Sequence, residues 1–370
     1  MRILHTGDVH LDSPFAGLSA KYAEERRRDV RESFSAMMRY AKDTAADMVI
    51  ISGDLFETSF VTRETVALLR RDFSMLDCPV VIAPGNHDPA EENGIWDKNL
   101  FPDNVYVFKS PELSRFSFDS LNCDVYGWAF TSSSMTECPL KGQSVEDRGR
   151  INILAAHCDT TSPIGNKCPV SPETLRAFGA DYCALGHIHN PEAANNALDG
   201  AGLYCGCPEG RDFGECGVKG AMTADIEKGS VTVNFKRFCK KIYRREVLNV
   251  DGAADFTELS DKLESFVREK DISKDTLLRV TLAGSVDPAL VIDTKALAER
   301  VSASYYTEVQ DDTVPVWNAE FLACDKGIRG EVYRSLLPSL ESPDPKIRTR
   351  AARALRYALA ALNGGSISDM

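Results

Sequence analysis

Five of the six histidines fall within a set of five short motifs that also brings carboxylates and an amide: Gly7-Asp8-Val9-His10, Gly53-Asp54, Gly85-Asn86-His87-Asp88, His157, and Gly186-His187-Ile188-His189. Imidazole, carboxylate and amide oxygen are hard to borderline ligands suited to Mn²⁺, Fe or Zn. Hydrolysing a phosphodiester needs a nucleophilic oxygen at neutral pH, neutralisation of phosphate charge and help for the leaving oxygen; two metals about 3.5–4 Å apart supply the first two. Such a pair needs a shared carboxylate, and Asp54, on the tight turn after Ile51-Ser52-Gly53, is the natural bridge. Asp8 and His10, two apart, can point to one side as a strand opens into a loop and hold one metal. Asn86 offers an oxygen to the second, the two imidazoles of His187 and His189 can aim at different metals, and His157 completes the second sphere. His87, beside Asn86, is then free to act on the phosphate or to give a proton to the leaving oxygen. The set implies a two-metal hydrolase.

Each motif follows a segment that reads as a buried strand: Arg2 to His5, Met48 to Ser52, Pro79 to Ala83, Ile151 to Ala156, and Tyr182 to Leu185. Between them, Lys21 to Lys42 carries Val30, Phe34, Met37 and Met38 at helical spacing, and Thr62 to Leu76 repeats the pattern. Strand–helix–strand units predict an α/β fold with a largely parallel sheet, whose ligands gather beyond the carboxyl ends of the strands. Val105 to Phe108, Val125 to Phe130 and Val231 to Phe238 predict a second sheet packed on the first, giving a layered sandwich flanked by helices. The catalytic domain is expected to span 1–240. A small α/β module is expected over 246–315, without histidine and suited to substrate selection. A helical segment follows over 316–370: Val332, Leu336, Leu337 and Leu340, a break at Pro343 and Pro345, then a helix with Ile347, Ala351, Leu355, Leu359 and Leu362 on one face. Its other face carries Arg348, Arg350, Arg353 and Arg356, and Gly364-Gly365 ends it. Docking on its own domain is the expected role, ahead of a partner-binding one.

The 370 residues, 43% hydrophobic and 26% charged, suit a soluble chain of more than one domain. No apolar run approaches the roughly 18 residues that cross a bilayer. A β pattern begins almost at once, so a cytoplasmic protein is expected. Its eleven cysteines are read as reduced structural thiols, because Cys205-Gly-Cys207 has no second pair to complete a zinc site. A net charge of −12 excludes whole-surface attraction to nucleic acid. Two local basic patches stand out. Arg26-Arg27-Arg28 with Arg31 is expected to be a solvated face; the run 236–245, holding Lys240, Lys241, Arg244 and Arg245 among aromatics, reads equally as a solvated face or a DNA contact.

The motifs Gly-Asp-Val-His, Gly-Asp-Leu-Phe, Gly-Asn-His-Asp and Gly-His-Ile-His resemble those of the calcineurin-like metallophosphoesterases. More narrowly, Asp8-Val-His-Leu-Asp-Ser-Pro-Phe15 is similar to the bacterial SbcD and YhaO type of DNA-repair exonuclease, and Pro208-Glu-Gly-Arg211-Asp-Phe-Gly-Glu215 with Lys219-Gly220 is similar to the segment closing that family's catalytic domain. The resemblance implies a metallophosphoesterase β-sandwich, a capping domain over DNA, and two divalent ions, usually Mn²⁺, with Fe, Zn or Mg as alternatives. It implies Asp8, His10, Asp54 and His189 on one ion and Asp54, Asn86, His157 and His187 on the other. His87 would be the catalytic histidine, oriented by Asp88. A homodimer and an SMC-like ATPase partner are also implied. Where that family often carries a histidine linked to exonuclease action on duplex DNA, this chain has Glu57, which either positions the phosphate indirectly or faces solvent.

The leading expectation is a Mn-dependent DNA exonuclease of a double-strand-break repair complex. The alternatives are a small-nucleotide phosphodiesterase, favoured by the acidic charge, and a non-catalytic phosphoesterase-like scaffold for an ATPase. His5 is expected to be structural, and Cys158 a small buried hydrophobe. Asp12 and Ser13 read as turn formers before substrate contacts, and Arg211 equally as a bidentate phosphate clamp or a surface ion pair.

Overall fold

The computed structural model describes residues 1–287, 290–316 and 318–362. The chain divides into two compact units, residues 1–242 and 243–370. The first contains eleven strands: β1 (Arg2–Thr6), β2 (Met48–Ile51), β3 (Val80–Ile82), β4 (Val105–Val107), β5 (Ser114–Phe118), β6 (Cys123–Gly127), β7 (Ile151–His157), β8 (Tyr182–Gly186), β9 (Leu203–Tyr204), β10 (Gly220–Glu227) and β11 (Ser230–Arg237). Helices α1 (Ala20–Asp43), α2 (Arg63–Ser74), α3 (Pro172–Phe178) and α4 (Glu192–Leu198) lie between them.

These strands form two sheets, in the orders β11-β10-β1-β2-β3-β4 and β5-β6-β7-β8-β9. Pairing from β1 to β4 and from β6 to β9 is parallel, while β10, β11 and β5 add antiparallel edges. Successive side chains along a strand enter opposite cores. Ile3, Met48, Ile50, Ile153, Ala155 and Ala184 meet between the sheets, whereas Leu4, Val49 and Ile51 face α1 and α2, and Leu154, Ala156 and Leu185 face α3 and α4. That arrangement makes four layers and explains the near-continuous apolar runs, since both faces of each central strand are buried. Val30, Phe34, Met37 and Met38 form the apolar stripe of α1, and Phe34 packs edge-on against Phe73 of α2 at 5.9 Å. Truncating Phe34 to alanine in such a core costs about 3–5 kcal/mol.

The two-sheet layering was anticipated, but its membership differs from expectation. Val105–Val107 and Ser230–Arg237 join the first sheet, and β7 and β8, read with the first three strands, belong to the second. A strand buried on both faces has the same pattern in either sheet, so periodicity could not assign it. Arg26 also departs from the solvated-face reading. It is buried on α1, bonded to Asp29 at 2.7 Å and Glu209 at 2.6 Å. All eleven cysteines are free thiols, most of them buried, Cys158 included.

The second unit contains β12 (Ile242–Asn249), α5 (Phe256–Glu269), β13 (Thr276–Ala283), β14 (Ser285–Val286), α6 (Thr294–Arg300), β15 (Tyr306–Asp311), β16 (Val314–Pro315), α7 (Ala319–Cys324), α8 (Ile328–Leu340) and α9 (Pro345–Leu362). A sheet in the order β12-β13-β15 is covered by α5 and α6 through Leu259, Leu263, Val267 and Leu297. The helical segment expected as a region of its own falls inside this unit, where Leu322, Tyr333, Leu355 and Leu359 share a small core. Arg356 corrects the two-faced reading of α9: it is buried and paired with Asp311 at 2.7 Å, because its position borders the Leu355 stripe. The expected Gly364-Gly365 stop lies outside the described residues.

Candidate metal centre

The carboxyl ends of β1, β2 and β3 from one sheet meet those of β7 and β8 from the other, and the loops there are tied together before any ligand is considered. Asp8, His10 and Leu11 donate backbone N–H bonds to the carbonyls of Gly53, Asp54 and Leu55 at 2.9–3.0 Å, so the β1 and β2 loops run side by side past the sheet edge. Asp8, His10 and Asp54 adopt φ of 48°, 49° and 50°, and His187 a φ of 111°. Left-handed backbone of this kind costs of order 1–3 kcal/mol per residue and persists only where the surroundings enforce it. Two motif glycines allow the approach of the loops. A Cβ on Gly53, itself at φ 89°, would lie 2.5 Å from His157 Nδ1, and one on Gly85 would collide with Asp54 Oδ1.

Asp54 Oδ2 stands 3.4 Å from His157 Nε2 and 3.7 Å from His10 Nε2, while its Oδ1 accepts the His87 backbone N–H at 2.9 Å. On one side lie His10 and His189, their Nε2 atoms 3.3 Å apart, with Asp8 Oδ1 3.8 Å from His189 Nε2. On the other lie His157 and Asn86, whose Oδ1 is 3.2 Å from His157 Nε2. The His187 ring stands 5.2 Å from that of His157, and its backbone N–H reaches both oxygens of Asp8 at 3.0 Å. Asp8, His10 and His189 offer atoms within 4.8 Å of one another, as do Asp8, Asp54 and His157; His10, Asp54 and His87 make a third such group.

The outer nitrogens decide what faces inward. His10 Nδ1 bonds Glu57 Oε1 at 2.8 Å, His189 Nδ1 bonds Glu215 Oε1 at 2.7 Å, and His157 Nδ1 bonds the Ser52 carbonyl at 3.0 Å. For His10 and His157 these partners are acceptors, so Nδ1 is the donor and the neutral ring directs its Nε2 lone pair inward. His189 Nδ1 faces both the Glu215 carboxylate and, at 2.9 Å, the donor Arg211 Nη2, so its partners hold the ring without fixing its tautomer. The interior gathers imidazole nitrogens 3.3 Å apart and carboxylate and amide oxygens against a third, and these donors are those a pair of divalent ions takes. The residues fit two such ions.

Charge follows the same logic. Burial lowers His10, His157 and His187 below the usual imidazole range and raises Asp8 above the usual carboxylate range. Burial also acts to raise Asp54, but the surrounding His157, His10 and His87 outweigh it and hold the carboxyl low. For Glu57, hydrogen bonds from His10 and His87 overcome burial and bring it to about 2. His87 is raised by its bond to Glu57, and His189 by Asp8 and Glu215 against burial.

Two expected roles are reassigned. Asp88 does not orient the His87 ring: its carboxylate accepts three backbone N–H bonds, from Asp54 at 3.0 Å, Leu55 at 2.9 Å and Gly85 at 2.6 Å, because it points back under the turn. Of the two readings of Glu57, the solvent-facing one fails, because it bonds His87 Nδ1 at 2.8 Å as well as His10. Glu215, quoted only within the Pro208–Glu215 segment, had no expected role, and the Ser52 carbonyl leaves no mark in a sequence. Glu57 was singled out because it stands where the resembling family often carries a histidine. Arg211 is drawn to the same rim, sharing Glu215 Oε1 with His189 and standing 3.5 Å from Glu57. Asp12 holds Arg31 at 2.6 Å and the Thr62 N–H at 2.8 Å, and His5 is buried between Tyr182 and Ser52, both structural arrangements. Of the basic run, Lys240 and Lys241 end the first unit and Arg244 and Arg245 begin the second. Lys240 pairs with Glu32 at 3.5 Å and Arg244 with Glu246 at 2.6 Å, and Arg245 is exposed.

A family profile described as calcineurin-like phosphoesterase matches residues 1–191. The chain belongs to that family. Its β-sandwich is therefore that of a metallophosphoesterase, a hydrolase of phosphoester bonds that uses divalent metals, and its clustered aspartates and histidines could hold such ions. Among its relatives, the uncharacterized metallophosphoesterase YhaO of Bacillus subtilis is 26% identical over 330 residues, covering 86% of this chain and 80% of that one. A subunit of the nuclease SbcCD of Staphylococcus epidermidis is 26% identical over 263 residues, 62% of this chain and 67% of that one. The DNA double-strand break repair protein Mre11 of Methanopyrus kandleri is 25% identical over 304 residues, 75% of this chain and 65% of that one. Among the described residues, no helix is long and apolar enough to cross a membrane.

Proposed function

We propose that this metallophosphoesterase is a DNA exonuclease, Mn²⁺-dependent and part of a double-strand-break repair complex. The observation that carries the reading is Asp54 Oδ2, placed between His157 Nε2 and His10 Nε2, one from each half of an inward-facing ligand set. Asp8, His10, Asp54 and His189 would hold one ion, and Asp54, Asn86, His157 and His187 the other. Two divalent ions bound there supply a nucleophilic oxygen at neutral pH and neutralise charge on the phosphate. The chain's own groups do the rest. His87, its side chain 44% exposed at the mouth of the site, meets the phosphate and gives a proton to the leaving oxygen. Arg211, held at the rim by Glu215, is placed to pair with a phosphate oxygen.

Relatives named as part of a nuclease and as DNA double-strand break repair proteins support DNA as the substrate. The second unit would select it, and the exposed Arg245, with Lys240, Lys241 and Arg244, would track its backbone. The same reading includes a homodimer, an SMC-like ATPase partner and a cytoplasmic setting, to which eleven free thiols are suited. The test is incubation with Mn²⁺ and end-labelled linear duplex DNA beside an aryl phosphodiester, with Asp54→Ala as the blank. Metal-dependent shortening of the DNA, absent in the variant, is the expected result. Hydrolysis of the small ester and of cyclic or dinucleotides, with DNA untouched in the presence of an ATPase partner, would overturn the DNA reading in favour of a small-nucleotide phosphodiesterase.

A further inference from the structure

Glu57 bonds the rings of both a ligand-set histidine and the histidine at the mouth of the site. Its Oε1 takes His10 Nδ1 at 2.8 Å and its Oε2 takes His87 Nδ1 at 2.8 Å. The two rings meet edge to face, centroids 4.9 Å apart. The carboxylate cannot drift from either. The Glu57 N–H bonds the Leu11 carbonyl at 3.0 Å, its own carbonyl accepts the Phe60 and Val61 N–H groups at 2.9 Å, and the next residue, Thr58, donates to the His87 carbonyl at 3.1 Å. Arg211 Nη1 stands 3.5 Å from Oε1, and the side chain is only 13% exposed. Each carboxylate oxygen therefore takes one imidazole, with Arg211 beside the one that takes His10.

We propose that Glu57 is a positioning residue that couples the two: by accepting from Nδ1 of both rings it keeps a proton on that side of each, turning the His10 Nε2 lone pair toward an ion and aiming His87 Nε2 at the substrate, where the second proton of the charged ring is the one given to the leaving oxygen. The proposal rests on the metal-dependent hydrolysis advanced above for its second half. Its first half, tautomer and metal affinity, stands independently. A carboxylate can do this where a neutral side chain cannot. The two N–H donors here meet separate oxygens, and Gln turns one of those into an NH₂ donor. In Glu57→Gln one ring must reverse its tautomer or lose its partner. An anionic oxygen bonded to a ligand imidazole also raises that ligand's basicity, and losing such a partner typically weakens metal binding 10–100-fold.

The coupling has a consequence for substrate choice. At the position where the resembling exonucleases often carry a histidine, this chain places an anion that already accepts from two imidazoles. Glu57 acts on DNA only through His87 and His10, and Glu57→His frees His87 rather than adding a phosphate contact.

Three measurements on the full chain test this. Nitrogen-15 imidazole spectra of the metal-free protein should show Nδ1-protonated rings for His10 and His87, and Glu57→Gln should change at least one. Calorimetric titration with Mn²⁺ should show one of two binding steps weakened 10–100-fold in Glu57→Gln, with Glu57→Asp partly restoring it. On an aryl phosphodiester, at Mn²⁺ concentrations that saturate the variant, kcat should fall at least tenfold with KM within twofold. Unchanged tautomers, or both binding steps within twofold of the parent, would overturn the proposal even if the protein hydrolyses nothing. A parent without any hydrolysis, but with the tautomer and affinity changes present, would overturn the proposed function and leave the coupling to His10 standing.

Discussion

Replacing Glu215 by glutamine separates the two halves of the metal centre. Its carboxylate accepts from His189 Nδ1 at 2.7 Å, from the Arg211 side chain at 3.0 Å and from the Arg211 backbone N–H at 2.7 Å. Glutamine has nearly the same volume, so no cavity forms, but it keeps a single acceptor oxygen for three donors. His189 then loses the anion bonded to its Nδ1, a change that typically lowers metal affinity 10–100-fold, or about 1.4–2.7 kcal/mol. The metal-free protein also loses stability, because Arg211 loses the anionic partner that holds it at 3.0 Å. Breaking a fully buried pair costs about 3–5 kcal/mol; with Arg211 21% exposed and one acceptor kept, about 2 kcal/mol is expected. The second ligand group is insulated. His157 takes its orientation from the Ser52 carbonyl at 3.0 Å, which the substitution does not touch. Calorimetric titration of chelator-stripped protein with Mn²⁺ should therefore resolve two steps, one shifted 10–100-fold and the other unchanged. Two steps shifted equally would show that His189 and His157 do not serve separate ions; no shift would show that Glu215 serves Arg211 alone.

Three further outcomes are expected. His87→Gln should lower kcat on an aryl phosphodiester by about 10²–10⁴ while both Mn²⁺ steps stay in place; loss of a binding step would instead make His87 a ligand beside His10 and Asp54, as their mutual proximity allows. Asp88→Ala strands three buried backbone N–H groups and should cost about 4 kcal/mol in urea denaturation of the first unit, given about 1–3 kcal/mol for each orphaned donor and incomplete additivity; a loss under about 1 kcal/mol would contradict its role as the clasp between the β2 and β3 loops. Replacing Lys240, Lys241, Arg244 and Arg245 with alanine should reduce the salt slope of DNA binding by about 2 rather than about 4, since Glu32 and Glu246 already engage Lys240 and Arg244. An unchanged slope would leave that run a solvated face.

Much of the centre was legible because its chemistry depends on residue type within short motifs. Asp8, His10, Asp54, Asn86, His157, His187 and His189 were picked out by side chains that bind divalent metals at the ends of apolar runs, and the structure brings them to one place. Glu57 and Asp88 were not legible in the same way. Both are carboxylates within three residues of the centre, and the family resemblance implied that Asp88 orients His87; the turn instead buries it beneath three backbone N–H groups and leaves Glu57 for the ring.

The sequence by itself determined the ligand types, the strand-end placement of the motifs and the alternation of strands with amphipathic helices, because these rest on local periodicity and on the chemistry of single side chains. Only the tertiary structure decided which sheet each strand joined, since β7 and β8 are as apolar on both faces as β1 and β2 and carry no mark of their neighbours. It also decided which atom of each histidine faces inward. That choice lies with partners such as Ser52, Glu57 and Glu215, distant from their histidines along the chain or, for Ser52, contributing only a backbone carbonyl, and such contacts exist only once the loops at the strand ends have come together.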